Sequence, residues 1–272
     1  MSTGAKVWRK ARLTLGSAAV VLLLLSLVVP VVLADPPVKQ TPGVPQPGKE
    51  WSAAAPKGVV AVSQPLAAQA GAEILARGGN AIDAAAAIQF ALNVEEPMMT
   101  GIGGGAFIMI YLADQKEVVV IDSRETSPLG LLPSPFPVAS GPTSGRSVGV
   151  PGTLMGTATA VKEFGTMSLA EVMAPAIEMA EKGIPVSQYL ASSIAVSKTK
   201  LSYTPGNAYS FVRPDGSTPA VGELLVQEDL AKTFKMIAQQ GTDVFYKGEI
   251  GDAISAIVKA RSGYIEKSDL ET

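Results

Sequence analysis

Leu169, Val172, Met173, Ala176, Ile177 and Ala180 recur at i, i+3, i+4, i+7, i+8 and i+11, the stripe of one buried helix face. Ser168 with Glu171 three positions on forms a capping box that opens this helix. Pro175 falls inside the stripe and, lacking an N–H, is expected to kink the helix or split it in two. Leu230, Phe234 and Ile237 predict another helix, ended by Gly241, and Ile250, Ile254, Ile257 and Val258 predict one more. Earlier in the chain, Asn80 is expected to cap a helix from Ala81 to about Asn93. Its centre, Ala84–Ala87, carries small side chains on most faces, so it is predicted to lie buried against a sheet. Before it, Ser63 and Pro65 open a helix that runs to Arg77 and stops at Gly78–Gly79. Gly58–Val62 is expected to be a short strand.

A different pattern occupies the stretch in between. Ala106–Leu112 and Glu117–Asp122 are almost continuously apolar and rich in β-branched residues, with polar Asp114-Gln115-Lys116 between them. Two strands joined by a short polar turn predict a hairpin. Apolar side chains on both sides of each strand predict that both faces are covered, as in a layered α/β fold. Ser127 to Arg146 holds five prolines and several glycines and is expected to be loop. Ser268 to Thr272 has the pattern of an element's opening rather than a domain's close. No internal repeat of fixed period is present.

The N-terminus carries a targeting pattern. Lys6, Arg9, Lys10 and Arg12 precede Leu13–Ala34, an uncharged stretch with Val20–Leu25 at its heart. A basic start, an apolar middle and the small-x-small triplet Val32-Leu33-Ala34 predict a secretory signal cleaved before Asp35. An uncleaved anchor is the rival, since such a stretch would span about 30 Å as a helix. The proline-rich residues 35–57 are expected to form an extended linker. The expected domains are therefore 1–34 signal or anchor, 35–57 linker and 58–272 globular part, with an exported location, secreted, periplasmic or held at the membrane's outer side. Contact with a membrane is expected only through residues 13–34, if they stay uncleaved. Loss of residues 1–34 would remove four of the 22 basic and none of the 24 acidic residues, turning the formal charge from −2 to −6.

Two absences narrow the chemistry. With no Cys among 272 residues there is no disulfide framework and no thiolate. With no His there is no Ser-His-Asp triad and no imidazole-ligated metal. No basic cluster lies beyond residue 12, so nucleic acid is not an expected partner. Gly101-Ile102-Gly103-Gly104-Gly105 lacks both phosphate-loop patterns and precedes a strand rather than a helix. Close backbone approach, to another layer or to a ligand, is the expected role. Ser197-x-x-Lys200 matches S-x-x-K without its companion motifs, and a solvated helix end explains it better. Arg124 follows an apolar strand in Asp122-Ser123-Arg124-Glu125-Thr126. A guanidinium at a strand's mouth suits a bidentate grip on a carboxylate; pairing with Asp122 or Glu125 would explain it without a ligand.

Several motifs in order then carry a resemblance. Ala70–Leu75 with Gly78–Ala85, Thr100–Phe107, Asp122–Glu125, Val150-Pro151-Gly152, Pro175-Ala176-Ile177 and Phe245–Glu249 resemble the γ-glutamyltransferase (glutathione hydrolase) family from about Gly58 onward. The resemblance implies an N-terminal-nucleophile hydrolase with an αββα sandwich, of which this chain holds part. It implies a precursor that cuts itself into two subunits and a freed N-terminal Thr that attacks γ-glutamyl amides such as glutathione. It further implies no cofactor and no metal. By the same resemblance Arg124 binds the substrate's α-carboxylate. The chain matches only the first half or so of the family pattern, no Thr stands in the nucleophile's context, and no catalytic residue is expected within it. Its expected partner is the missing small subunit. A non-catalytic secreted binding domain of the same fold, or a related acylase, are the alternatives.

Overall fold

A computed structural model of the chain describes residues 6–9, 58–131, 144–202 and 208–271. The signal or anchor stretch 13–34, the Asp35 junction, the 35–57 linker and Pro133, Pro135, Pro137 and Pro142 lie outside the described residues. The chain divides into two units, Met1–Trp8 with Val60–Thr272, and Arg9–Val59. The elements that follow belong to the first, apart from the last residue of β1.

A three-stranded sheet has the order β1–β3–β2, from β1 (Lys6–Arg9), β2 (Ala106–Leu112) and β3 (Glu117–Ser123). β2 and β3 form the expected antiparallel hairpin, with Ala106 opposite Ser123, Ile108 opposite Ile121 and Ile110 opposite Val119. Side chains alternate across a strand, so Ile108, Ile110, Val119 and Ile121 share the inner face. There Ile110 and Ile121 meet Ala160 of α3 (Thr153–Phe164), with Ile82 and Phe164 packed beside them. The outer face is open: Phe107, Met109 and Tyr111 are 67%, 75% and 63% exposed. The expectation that both faces are covered is therefore corrected. Helices cover one side, and no described element covers the other.

The helical layer is built around α2 (Ala81–Glu95). Asn80 caps it as expected, its side-chain oxygen accepting from the Ile82 and Asp83 N–H groups while Asp83 accepts from Asn80 N–H. The helix runs past Asn93. Its alanines serve mainly helix–helix contact, against α1 (Pro65–Ala76) and α4 (Leu169–Lys182), and only its first turns approach the sheet. That corrects the expected sheet packing, because an alanine face admits a helix as closely as a strand. α4 begins at the Ser168–Glu171 capping box. It continues unbroken through Pro175, so the expected split does not occur. Its buried face of Val172, Met173, Ala176 and Ala180 offsets the cost of one interior proline, about 3 kcal/mol, since tertiary packing supplies most helical stability in proteins.

α7 (Glu228–Gln240) closes this core, its Phe234 ring meeting Phe90 of α2 edge-on at 5.7 Å between centroids. Burying each such ring contributes roughly 1.5–3 kcal/mol. α5 (Gln188–Ser202) adds Leu190 and Ile194, and the two-residue strands β4 (Ile184–Pro185) and β5 (Leu224–Leu225) pair antiparallel beside it. The remaining helices are α6 (Ala208–Phe211), α8 (Asp243–Tyr246), α9 (Glu249–Ala260) and α10 (Lys267–Glu271).

Gly58–Val62 is not a strand, and Gln64 rather than Ser63 occupies the cap position of α1. Instead Ser63 Oγ and Gln64 Nε2 donate to the buried Glu96 carboxylate at 2.8 and 2.6 Å. Its neighbour Glu95 accepts from the Ala67 N–H at 3.0 Å. The apolar run at 58–62 thus leads into a helix N-terminus that two carboxylates from the end of α2 secure. α3 has no counterpart among the elements expected from sequence.

Candidate functional site

β3 ends at Ser123, and Arg124 stands one residue beyond it. The Arg124 N–H donates to Asp122 Oδ1 at 3.1 Å, which turns the chain out of the strand. The guanidinium pairs with Glu125 at 3.0 Å, the two side chains being 54% and 31% exposed. The ion-pair explanation weighed for Arg124 is thus met through Glu125. Exposed pairs contribute little, about 0–1 kcal/mol. A guanidinium also carries five N–H donors, more than one carboxylate contact consumes. The pair and a ligand contact are compatible.

What fixes this turn is a set of glycines from three stretches. A Cβ on Gly105 would overlap the Glu125 carboxylate, and one on Gly149 would come within 2.9 Å of Glu125 Cβ. A Cβ on Gly152 would overlap the Ser123 carbonyl, and one on Gly156 the Ser123 side chain. The end of the glycine cluster, at Gly105, and the Val-Pro-Gly segment therefore share one purpose: they close on the chain around residues 123–125. Thr126 and Val150 bridge the two segments, with the Val150 N–H donating to the Thr126 carbonyl at 2.8 Å. The Gly104 carbonyl accepts from both Gly152 N–H and Thr153 N–H at 2.9 Å, satisfying two of the donors that a helix start leaves free. Close approach, expected of Gly101–Gly105, is seen at Gly104 and Gly105, against the start of α3 and Glu125, while a Cβ on Gly101 or Gly103 would meet nothing closer than 3.9 Å.

Tyr246 completes the support. Its hydroxyl accepts from Met155 N–H at 3.1 Å and donates to the Pro151 carbonyl at 3.2 Å. Burial pushes the phenol up to about 12, with the Met155 bond acting in the opposite sense. Tyr246 is therefore neutral and serves as a strut under the start of α3. Asp83 plays a similar part at the other end of that helix. Burial works against its charge, but the Thr166 hydroxyl and the N–H groups of Asn80, Thr166 and Met167 outweigh it and hold its carboxyl below the usual range.

Among the described residues no three carboxylates converge as a metal site. Ser197 and Lys200 lie on α5, not beside Arg124. Glu125, Gly149, Gly156 and Tyr246 were not singled out individually from sequence, although Glu125 and Tyr246 lie inside recognised motifs. Gly156 carried no signal at all. The assembled site can hold an anion at Arg124. Nothing beside it among the described residues is an activated nucleophile with a general base.

The gamma-glutamyltranspeptidase family model matches residues 67–272. A glutathione hydrolase proenzyme of Bacillus subtilis strain 168 is 46% identical over 222 residues, covering 79% of this chain and 38% of the relative. Acylase ACY 1 proenzyme of a Pseudomonas strain, SE83, is 40% identical over 227 residues, covering 79% of this chain and 40% of the relative. The crystal structure of Helicobacter pylori gamma-glutamyltranspeptidase superposes with a TM-score of 0.76 at 35% identity, covering 80% of this chain and 64% of that one. The chain spans about two-fifths of the length of these curated relatives. The hairpin, covered on its inner face, and its helical layer are accordingly part of the N-terminal-nucleophile hydrolase sandwich, and the chain belongs to the gamma-glutamyltranspeptidase family.

Proposed function

We propose that this chain is the substrate-gripping portion of an exported enzyme that cleaves γ-glutamyl amides such as glutathione. The nucleophile and its oxyanion donors come from the rest of a polypeptide of the relatives' length. Arg124 takes the α-carboxylate of the γ-glutamyl donor in a bidentate grip, holding the amide carbon where an N-terminal Thr can attack. The acyl group then passes to water or to an amino acid. The observation that carries this reading is the half-exposed Arg124 guanidinium on a turn fixed by glycine contacts on both sides. Residues 1–34 act as the export segment, and residues 35–57 as a tether to the globular part.

The similarity to an acylase proenzyme supports a second reading, in which the complete enzyme cleaves another acyl amide. Arg124 separates the two, because only a donor with a carboxylate in the glutamyl position needs it. Steady-state kinetics of the complete enzyme on a γ-glutamyl anilide, beside a simple acyl anilide, is the test. Arg124→Ala is expected to lower kcat/KM for the glutamyl substrate by roughly 30-fold to several-thousand-fold, the effect of leaving a desolvated charge unpaired. Autoprocessing into two subunits should survive. Equal kcat/KM for Arg124→Ala and wild type in fully processed enzyme would remove Arg124 from the binding site. A wild-type preference for the simple acyl anilide would favour the acylase reading.

A further inference from the structure

A cavity of about 520 Å³ lies among the C-terminal end of α2, the Gly101–Gly103 loop, α5 and the start of α7, within the size range of small-molecule pockets. Met98, Ile102, Leu190 and Ile194 give it apolar walls, and Ser193 and Ser197, one turn apart on α5, add two half-buried hydroxyls. Neither Arg124 nor Glu125 lines it. The loop is its informative wall, because two of the three loop residues are glycines that the described residues do not explain. Neither Gly101 nor Gly103 has a positive φ, so backbone conformation does not call for glycine there. A Cβ on Gly101 would have the Gly103 nitrogen as its nearest atom, at 3.9 Å, and one on Gly103 would meet nothing within 4 Å. Gly105 differs, since the Glu125 carboxylate fills the place of its Cβ. What remains for the bare backbone at Gly101 and Gly103 is close approach by a ligand.

The same loop has spare donors. The Thr100 N–H donates to the Glu96 carbonyl at 3.0 Å, but the next three N–H groups, of Gly101, Ile102 and Gly103, meet no acceptor among the described residues. Successive backbone N–H groups of this kind can converge on one anion. Water meets them otherwise, yet bonds to a carboxylate are charge-assisted and about twice as strong. The Ser193 and Ser197 hydroxyls are further donors. Asp229, the one charged residue of the wall among the described residues, is 80% exposed and paired with Lys232 at 3.1 Å. Its charge is therefore largely screened by solvent and does not govern what the cavity admits.

We propose that this cavity binds a small organic carboxylate, its oxygens accepting from the N–H groups of Gly101, Ile102 and Gly103 and its apolar body resting on Met98, Leu190 and Ile194. The site goes beyond the γ-glutamyl reading and does not depend on it. The two regions share one stretch of chain: Gly103 lines the cavity, while Gly104 and Gly105 hold α3 and Glu125.

The test uses the purified, isotope-labelled 272-residue chain and three probes that share a phenyl ring on a three-carbon chain: 3-phenylpropionate, 3-phenylpropanol and 3-phenylpropylammonium. In heteronuclear NMR titrations, 3-phenylpropionate is expected to move the Gly101 and Gly103 amide proton signals downfield, saturably and together. The alcohol and the ammonium probe should leave them in place. Gly103→Val should weaken binding roughly ten- to a hundredfold, the range for hydrogen bonds to charged groups. A Cβ at 103 meets nothing within 4 Å, so this variant is expected to fold as wild type while its side chain takes the space of the ligand. Ser197→Trp fills the cavity from α5 and should have the same effect; it decides the matter should Gly103→Val fail to fold. Circular dichroism and thermal melts show whether each variant keeps its helices. The proposal is overturned by the absence of a saturable shift at either glycine in the folded wild-type chain, or by equal binding of the alcohol or the ammonium probe. Unchanged affinity in folded Gly103→Val would also overturn it. So would binding that is lost in Arg124→Ala and kept in Gly103→Val, which would assign the carboxylate to the Arg124 turn.

Discussion

Asp83 and Thr166 are joined twice: the Thr166 hydroxyl and the Thr166 N–H donate to the same carboxylate oxygen at 2.7 and 3.0 Å. The contact ties the first turn of α2 to the segment between α3 and α4. Asp83→Ala leaves buried donors unpaired and should cost roughly 2–4 kcal/mol of unfolding free energy. The sign of its pH dependence follows from a carboxyl held below its ordinary 3.8. Its contribution is complete above that value and is lost as pH falls through the lower, folded-state value. Urea melts from pH 6 down to pH 2 should show that acid loss in wild type and a flatter profile in Asp83→Ala.

Glu95 should behave with the opposite sign. Burial raises its carboxyl above the usual 4.5, against the pull of the Ala67 and Leu66 N–H groups, and the charge on Glu96 adds to the rise. Its protonated form is favoured in the folded state, so that contribution is present below pH 4.5 and fades as pH rises through the raised value. Glu95→Gln keeps an acceptor for α1 and removes the charge. Between pH 4.5 and 7 it should lose stability less steeply than wild type in the same urea melts.

Tyr246→Phe deletes one hydroxyl that serves both Met155 and Pro151. A loss of about 1–3 kcal/mol is expected, because a buried N–H and a buried carbonyl are left unpaired at once. Thermal and urea unfolding measure it. In wild type, ultraviolet difference spectra should show one tyrosine that stays un-ionised until about pH 12.

The outer face of the β2–β3 hairpin should make the 272-residue chain self-associate. Phe107, Met109 and Tyr111 lie in a row on one side of an edge strand, a surface that monomers rarely leave open. Met109→Lys with Tyr111→Thr should shift sedimentation toward monomer while leaving the inner face intact. A wild-type chain that sediments as a monomer and melts cooperatively would contradict this.

Arg124→Lys in the complete enzyme should recover only part of what Arg124→Ala loses. A lysine supplies the charge but not the planar fork that a carboxylate meets with two parallel bonds. Steady-state kinetics on the γ-glutamyl anilide should rank wild type, Lys and Ala in that order, chiefly in KM.

Much of the helical layer was legible because its signals are local. The Asn80 cap and the Ser168–Glu171 box are signals of one turn, and the α4 and α7 stripes repeat at helical spacing. α3 escaped because its sheet-facing side is Gly156, Thr157 and Ala160, small residues that pack beside the hairpin, and Leu154 and Val161 alone on its other buried side make too short an apolar stripe. Pro175 misled because propensity speaks before packing does. The hairpin misled for another reason: apolar side chains on both faces of a strand predict two covering layers, whereas the described residues supply a layer on one face only. At the site, Arg124 was visible through its place after a strand. The glycines that fix it were not, because their meaning lies in contacts 20 to 48 positions distant, such as Gly105 with Glu125 and Gly105's neighbour Gly104 with Gly152.

The contacts named around Arg124 come from residues 101–156 and from Tyr246 alone. During vectorial synthesis, N-terminal parts fold first. The ledge that bears the guanidinium is thus complete within residues 101–246 and can set without any later segment. A subunit that arrives afterwards would meet a finished wall rather than help to shape one. Sequence changes in such a later segment would then alter what is done to a bound carboxylate, while the means of holding it stayed the same.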